Sequence, residues 1–364
     1  MGAPRRPTSI LPAAEAARLR AALLAWYDRA RRALPWRAPP GAAADPWAVL
    51  VSEVMLQQTT AATVSRRFAA FLARFPAPAV LAEAPLDAVL HAWQGLGYYR
   101  RARALQGCAR AIVADHGGRV PAEPEALAGL PGLGPYSAAA VAAIAFGREV
   151  LAVDGNVARV GARLLGLEAP VTALRPAVAA ALAPLARGPR PGDLAQAVIE
   201  LGALVCRPAA PACAECPWRP DCRAAASGRP ERLPRRPARP ERPERAAVAF
   251  LLRRGDGAVL LRRRPEGGLL GGMMELPSTP WGPERSLAWS LRHAPAETAW
   301  EPVEGSVRHL FTHLALRVRL LRATAEGPAD GIWLGPAELA AAALPTLTRK
   351  LLRHGGVEPP PAPG

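Results

Sequence analysis

Four cysteines crowd into seventeen residues, as Cys206-x6-Cys213-x2-Cys216-x5-Cys222, and they limit the chain more than any other feature. Thiolates this close suit a metal centre. Met1–Leu11 carries arginines and prolines with no apolar run before a cleavage site, so no export signal directs the cysteines to an oxidising compartment where disulfides persist. The spacing admits a [4Fe–4S] cluster or, as the alternative, zinc. Zinc sites more often carry two Cys-x2-Cys pairs, and here there is one. The fifth cysteine, Cys108, stands alone.

The chain ahead of this loop reads as helical. Ala, Leu and Val recur at helical spacing over residues 15–34, 45–75 and 86–115, between Pro and Gly breaks. A mainly α domain over 1–226 is expected. Residues 227–245 hold seven arginines, five prolines and three glutamates, which suits an extended linker. Two strands follow, 246–252 and 258–264, around an Arg-Gly-Asp-Gly turn, with further strand-like sequence over 306–322. Residues 246–352 are expected to form an α+β domain, and 353–364 a disordered tail. No run of 18 apolar residues occurs, so a soluble protein of the cytoplasm is expected, with no membrane partner. The formal charge of +16 suits a polyanion such as nucleic acid, although a chain rich in Arg with one lysine, Lys350, also fits GC-rich codon usage.

Three short motifs carry chemistry. Leu130-Pro131-Gly132-Leu133-Gly134-Pro135-Tyr136 precedes an Ala-rich helical run. Gly132 and Gly134 allow a tight turn that aims backbone N–H groups outward at a helix start, an arrangement that binds phosphate without reading sequence. Asp154, in Val153-Asp154-Gly155-Asn156-Val157, stands where a helix opens and has the residue type of an N-cap. Glu53, in Ser52-Glu53-Val54-Met55-Leu56-Gln57-Gln58-Thr59, shares a helix face with Gln57, beside an apolar stripe of Leu50, Val51, Val54 and Met55.

Together these runs resemble the endonuclease III superfamily of helix–hairpin–helix DNA glycosylases. The Glu53 segment, Leu34-Pro35-Trp36-Arg37 and Trp93-Gln94-Gly95-Leu96-Gly97-Tyr98-Tyr99 resemble its adenine-specific branch, over residues 20–225. The resemblance implies a [4Fe–4S] cluster on the four cysteines. It implies Glu53 as general acid to adenine and Asp154 as the ionised carboxylate beneath the sugar, with Tyr136 and Asn156 beside them. It implies Trp36, Arg37 and Gln196 in a pocket for a flipped adenine, and Gln58, Thr59, Leu96, Gly97 and Tyr98 on DNA with Gly132 and Gly134. Superfamily members that also nick the strand carry a lysine where this chain has Tyr136, so base removal without efficient β-lyase activity is expected.

Adenine is a normal base, so the mark of damage must be read on the opposite strand. The C-terminal domain resembles the Nudix-like domain of the same enzymes, and the resemblance implies that Phe311, Thr312 and His313 read 8-oxoguanine. Thr312 stands where serine is common. No Arg-Glu-x-x-Glu-Glu stretch is present to hold magnesium, so nucleotide hydrolysis is not expected. The expected partner is double-stranded DNA with adenine opposite 8-oxoguanine or guanine, bound on the nucleoid by a monomer.

Overall fold

Among the described residues proline opens six α-helices, where its missing N–H is no loss and its fixed φ suits the first turn. The computed structural model describes residues 10–39, 42–235, 241–265, 267–325 and 329–359. Part of the expected linker (236–240) and the end of the expected tail (360–364) lie outside the described residues. In chain order the helices are α1 (Ala13–Ala30), α2 (Pro46–Leu56), α3 (Ala61–Arg74), α4 (Pro78–Glu83), α5 (Leu86–Ala92), α6 (Arg100–His116), α7 (Pro124–Ala128), α8 (Pro135–Phe146), α9 (Gly155–Leu165), α10 (Val171–Ala186), α11 (Pro191–Leu204) and α12 (Arg223–Ala226).

Two of the long helical runs read from periodicity are each broken in two. Residues 57–60 part α2 from α3, with Gln58 at φ 57°. Residues 93–99 part α5 from α6, with Gly95, Gly97 and Tyr98 at positive φ. Apolar spacing continues across both breaks, so a pattern of side chains does not register a backbone that has turned left-handed.

The described residues fall into two compact units, one from Met1–Gln58, Leu72–Ala82 and Gly107–Ala238, the other from Thr59–Phe71, Glu83–Gln106 and Arg239–Gly364. The core of the first joins Leu19, Leu23 and Tyr27 of α1, Val157 and Val160 of α9, Val178 and Leu182 of α10, and Val198 and Leu201 of α11. Trp218 of the cysteine loop enters the same core, its indole N–H donating to the Leu19 carbonyl at 2.8 Å. Truncating one such leucine to Ala costs about 2–5 kcal/mol. This packing sets α9 beside α11. Gly202 makes the approach possible: a Cβ there would lie 2.6 Å from Cβ of Asn156.

The second unit is built on a mixed sheet of β1 (Glu244–Arg253), β2 (Val259–Arg263), β3 (Met274–Glu275), β4 (Glu301–Leu310), β5 (Ala315–Thr324) and β6 (Ile332–Leu334). Its order is β3-β2-β1-β5-β4, with β6 beside β2; β1 and β5 run parallel and the other pairs antiparallel. Three short helices follow along the same stretch of chain, α13 (Leu287–Leu291), α14 (Pro336–Ala341) and α15 (Thr346–His354), and the unit also takes in most of α3, all of α5 and the start of α6. Leu347, Leu351 and Leu352 of α15 close the core against Leu251, Leu316 and Leu320. The strand-like stretch 306–322 is a hairpin, turned at Phe311–Leu314 by the bond from Phe311 N–H to the Leu314 carbonyl at 2.9 Å. No Gly or Pro marks that turn in the sequence.

Candidate active site

Glu53 is 5 % exposed, on a helix whose neighbouring residues Val49–Met55 are all buried. It therefore lies on no solvated face. Burial pushes its carboxyl up to about 7; a hydrogen bond with Tyr136 and the Arg37 charge pull the other way, while the Asp154 charge adds to the rise. Its Oε2 is buried and has no hydrogen-bond partner. A carboxyl in this state keeps a proton near neutrality and has one oxygen free to deliver it.

Tyr136 reaches Glu53 from the first turn of α8. The turn before it works as the glycines suggest: Gly132 has φ 80°, a conformation costly for other residues, and Leu130 and Leu133 are buried while Pro131, Gly132 and Gly134 are exposed. Gln57, one turn beyond Glu53, donates to the Gly132 carbonyl at 3.2 Å and to Ser137 Oγ at 3.3 Å, tying the end of α2 to the hairpin. Burial raises the Tyr136 hydroxyl well above its usual range, and the Glu53 and Asp154 charges add to this, so it stays a neutral donor.

Asp154 is both the N-cap of α9 and a neighbour of Glu53. Its Oδ1 accepts from Val157 N–H at 2.7 Å and its Oδ2 from Asn156 Nδ2 at 2.8 Å. The cap holds the carboxylate in place without consuming its charge.

Arg37 is bound to a residue that sequence reasoning missed. Glu200, on α11, is fully buried and receives bidentate bonds from Arg32 (2.8 Å and 2.8 Å) and Arg37 (3.2 Å and 2.9 Å). Burial alone would raise this carboxyl, but the hydrogen bonds from Arg32 and Arg37 bring it down to about 2. The guanidinium of Arg37 lies 5.6 Å from the Tyr27 ring centroid, and its Nε is buried without a partner. The missed signal was one glutamate in the otherwise uncharged run 194–204, which cannot be buried in an apolar helix without cationic partners. Trp36 and Gln196 are half-buried; Gln196 Nε2 donates to Gly192 O at 3.3 Å, one turn back along α11.

The four cysteines are half-buried, unpaired by disulfides, and line one cavity together with Arg163, Val205 and Arg219. Among the described residues no group of three Cys, His, Asp or Glu is arranged to hold a metal ion. Two arginines of α9 brace the loop. Arg163 donates to the carbonyls of Arg207 (2.7 Å) and Leu233 (2.8 Å) and approaches Cys206 Sγ at 3.4 Å. Arg159 donates to Cys206 O at 2.8 Å, Gly202 O at 2.9 Å and Asn156 Oδ1 at 2.9 Å. One helix thus carries Asp154 at its start and supports the cysteine loop along its length. Arg207, Arg219 and Arg223 are exposed around that loop. Cys108 is fully buried and its thiol is pushed up to about 12 by burial, so it is an inert core residue.

In the second unit, Thr312 and His313 are exposed at the tip of the β4–β5 hairpin. Phe311 is anchored between His309 and Trp281, with centroids at 4.6 Å and 5.5 Å. The Thr312 hydroxyl is hydrogen-bonded to that of Tyr98, and its carbonyl accepts from Arg242 at 3.2 Å. Tyr98 is 38 % exposed, whereas Leu96 is buried and Thr59 bonds within the unit, to the Leu96 carbonyl at 3.3 Å. In the first unit, Gln58 is exposed.

Known proteins resemble both the helical and the mixed-sheet parts of this chain. Residues 51–176 match the HhH-GPD superfamily of base excision DNA repair proteins, and residues 248–354 match the NUDIX domain. The human adenine DNA glycosylase is 34 % identical, over 95 % of this chain and 76 % of its own. That of Mycobacterium tuberculosis is 43 % identical, over 58 % of this chain and 70 % of its own. Among solved structures, a thermostable thymine-DNA glycosylase is 28 % identical with a TM-score of 0.53, covering 58 % of this chain and 97 % of its own. Among the described residues no helix is long and apolar enough to cross a membrane.

Proposed function

The chain belongs to the adenine DNA glycosylases of base excision repair, and from that premise we propose that it hydrolyses the N-glycosidic bond of adenine opposite 8-oxoguanine or guanine, after the adenine has left the stack. The observation that carries this reading is Glu53 Oε2, a buried carboxyl oxygen with no partner on a group pushed up to about 7. Such an acid protonates a purine ring nitrogen, N7 by its basicity, and so makes adenine a neutral leaving group. The sugar left behind is oxocarbenium-like, and the Asp154 carboxyl group, held by Val157 N–H and Asn156, stabilises it from beneath. Tyr136 orients Glu53. Arg37, Trp36 and Gln196 line the pocket for the base, with Glu200 holding Arg37.

Gln58 contacts the duplex from the first unit, and Leu96, Gly97, Tyr98 and Thr59 are the duplex contacts of the second, in which Thr59 bonds to the Leu96 carbonyl; Gly132 and Gly134 hold a backbone phosphate. Phe311, Thr312 and His313 read the opposite base, from a domain spanning 246–352 that follows a catalytic domain of 1–226. Cys206, Cys213, Cys216 and Cys222 would hold a [4Fe–4S] cluster. Four thiols line one cavity, and their spacing holds one Cys-x2-Cys pair where zinc sites more often carry two, which suits the cluster better than zinc. When bound, the cluster would order the loop that presents Arg207, Arg219 and Arg223 to phosphates. The protein acts as a monomer on nucleoid DNA.

Lys350 is the only lysine in the chain, and Tyr136 cannot form a Schiff base, so the strand is left unbroken. The test is adenine release from duplexes that differ only in the base opposite adenine. Release that is fastest opposite 8-oxoguanine, absent in Glu53→Gln and without a borohydride-trapped adduct supports the reading. Release indifferent to the opposite base, or undiminished in Glu53→Gln, overturns it.

A further inference from the structure

Arg101, in the first turn of α6, is 6 % exposed and is gathered around the loop that precedes it. Its Nη2 donates to the carbonyls of Leu96 (2.9 Å) and Gly97 (3.1 Å) and to Thr59 Oγ1 (2.9 Å). Its guanidinium lies 5.4 Å from the Trp93 ring centroid and 5.6 Å from that of Tyr98. Trp93 adds a bond of its own, Nε1 to the Gly97 carbonyl at 3.1 Å. Burial lowers the guanidinium to about 10, so it remains charged at neutral pH.

The loop needs such support. Tyr98 has φ 47°, a left-handed conformation that a bulky residue adopts only when its surroundings impose it. Tyr98 is nevertheless 38 % exposed, its hydroxyl bonded to that of Thr312, while Leu96 is buried. Arg101 meets both requirements at once. One terminal nitrogen, Nη2, fixes two successive carbonyls of the loop, and the guanidinium attracts the ring face itself. Thr59 completes the tie by bonding both Arg101 and the Leu96 carbonyl.

We propose that Arg101 is a positioning residue for opening the duplex: it holds Leu96-Gly97-Tyr98 in the shape in which Tyr98 projects, before DNA arrives. The proposal rests on the reading that this loop enters the duplex. Pre-setting the loop removes a conformational search from the step that unstacks the adenine. A lysine keeps the charge but has no flat guanidinium to lie against the Trp93 and Tyr98 rings while it bonds the carbonyls, so it does not substitute.

The experiment follows unstacking and chemistry separately. A fluorescent adenine analogue beside an uncleavable target reports unstacking per bound complex, and single-turnover adenine release reports the rate. For Arg101→Lys we expect duplex binding within about twofold of wild type, a markedly smaller fluorescence rise per complex, and release slowed by about tenfold or more. Thr59→Val, which removes only the hydroxyl of the tie, should show the same defect in weaker form, and it decides the matter if Arg101→Lys does not fold. A purely structural role would lower thermal stability or the bound fraction and leave the rise per complex unchanged; that result in the folded variants overturns the proposal. A wild type that releases adenine with no fluorescence rise overturns it too, by removing the loop from the duplex. A wild type that releases no adenine sinks the functional reading instead, and the fluorescence rise still judges Arg101.

Discussion

The hydroxyl of Tyr136 is hydrogen-bonded to the carboxyl of Glu53, and the two groups affect each other's ionisation in opposite senses. The bond lowers the carboxyl against a larger rise from burial, whereas the carboxylate charge helps hold the hydroxyl neutral. The outcome is an acid poised near neutrality beside a donor that does not titrate in the working range. Asp154 caps α9 through Val157 N–H and accepts from Asn156 beside this pair.

The poise of Glu53 gives two pH signatures. If Glu53 is the proton donor, single-turnover release falls as pH rises through about 7, by about tenfold per unit beyond it. The stability effect has a defined sign. The folded value is raised from 4.5, so the favourable contribution is complete below 4.5 and is lost as pH climbs through about 7. Glu53→Gln escapes that loss. Relative to wild type it should gain up to about 3 kcal/mol between pH 4.5 and 8, measured by denaturant melts. A flat difference across that range would remove Glu53 from a desolvated site.

Glu200 makes the opposite case. Its folded value is lowered to about 2, so its contribution is present above 4.5 and disappears as pH falls through about 2. Glu200→Gln leaves Arg37 buried without its charge partner. The expected cost is about 3–5 kcal/mol of stability, with loss of adenine release even where the protein remains folded. Wild-type release from folded Glu200→Gln would show that Arg37 needs no such anchor.

Thr312→Ala should narrow the preference for 8-oxoguanine over guanine opposite adenine, by about tenfold, the value of one lost hydrogen bond to a base edge. Release from the A:G duplex should change little. Thr312→Ser should keep the preference, since the hydroxyl remains. Unchanged discrimination in Thr312→Ala would transfer the reading to other residues.

Purified protein should be brown and contain about four irons per chain. Cys216→Ser should lose colour together with DNA affinity, because Cys216 lines one cavity with the other three cysteines of the loop that carries the exposed Arg207, Arg219 and Arg223. Colourless protein with one zinc per chain would assign the loop to the alternative metal.

Much of the site was legible along the chain because its chemistry is written in short runs. The cysteine spacing, the Leu-Pro-Gly-Leu-Gly turn, the aspartate at a helix start and Ser-Glu-Val-Met-Leu-Gln-Gln-Thr are each local patterns of residue type. Asp154 shows how far that goes: the cap and the charged neighbour of Glu53 are the same residue. Glu200 and Arg101 show where it stops. Each matters through partners distant in the chain or through a bent backbone, and neither belongs to a recognisable run.

The sequence alone determined the helical and α+β halves and the thiol set, because residue type and near-neighbour spacing carry that information, while its resemblance to a known family put forward the two carboxylates. Only the folded chain decided that Glu53 is buried with one oxygen unpaired, that Arg37 is held by Glu200, and that a left-handed Tyr98 is gripped by Arg101. Burial and ion pairing depend on which distant surfaces meet in space, and a one-dimensional pattern holds no record of that meeting.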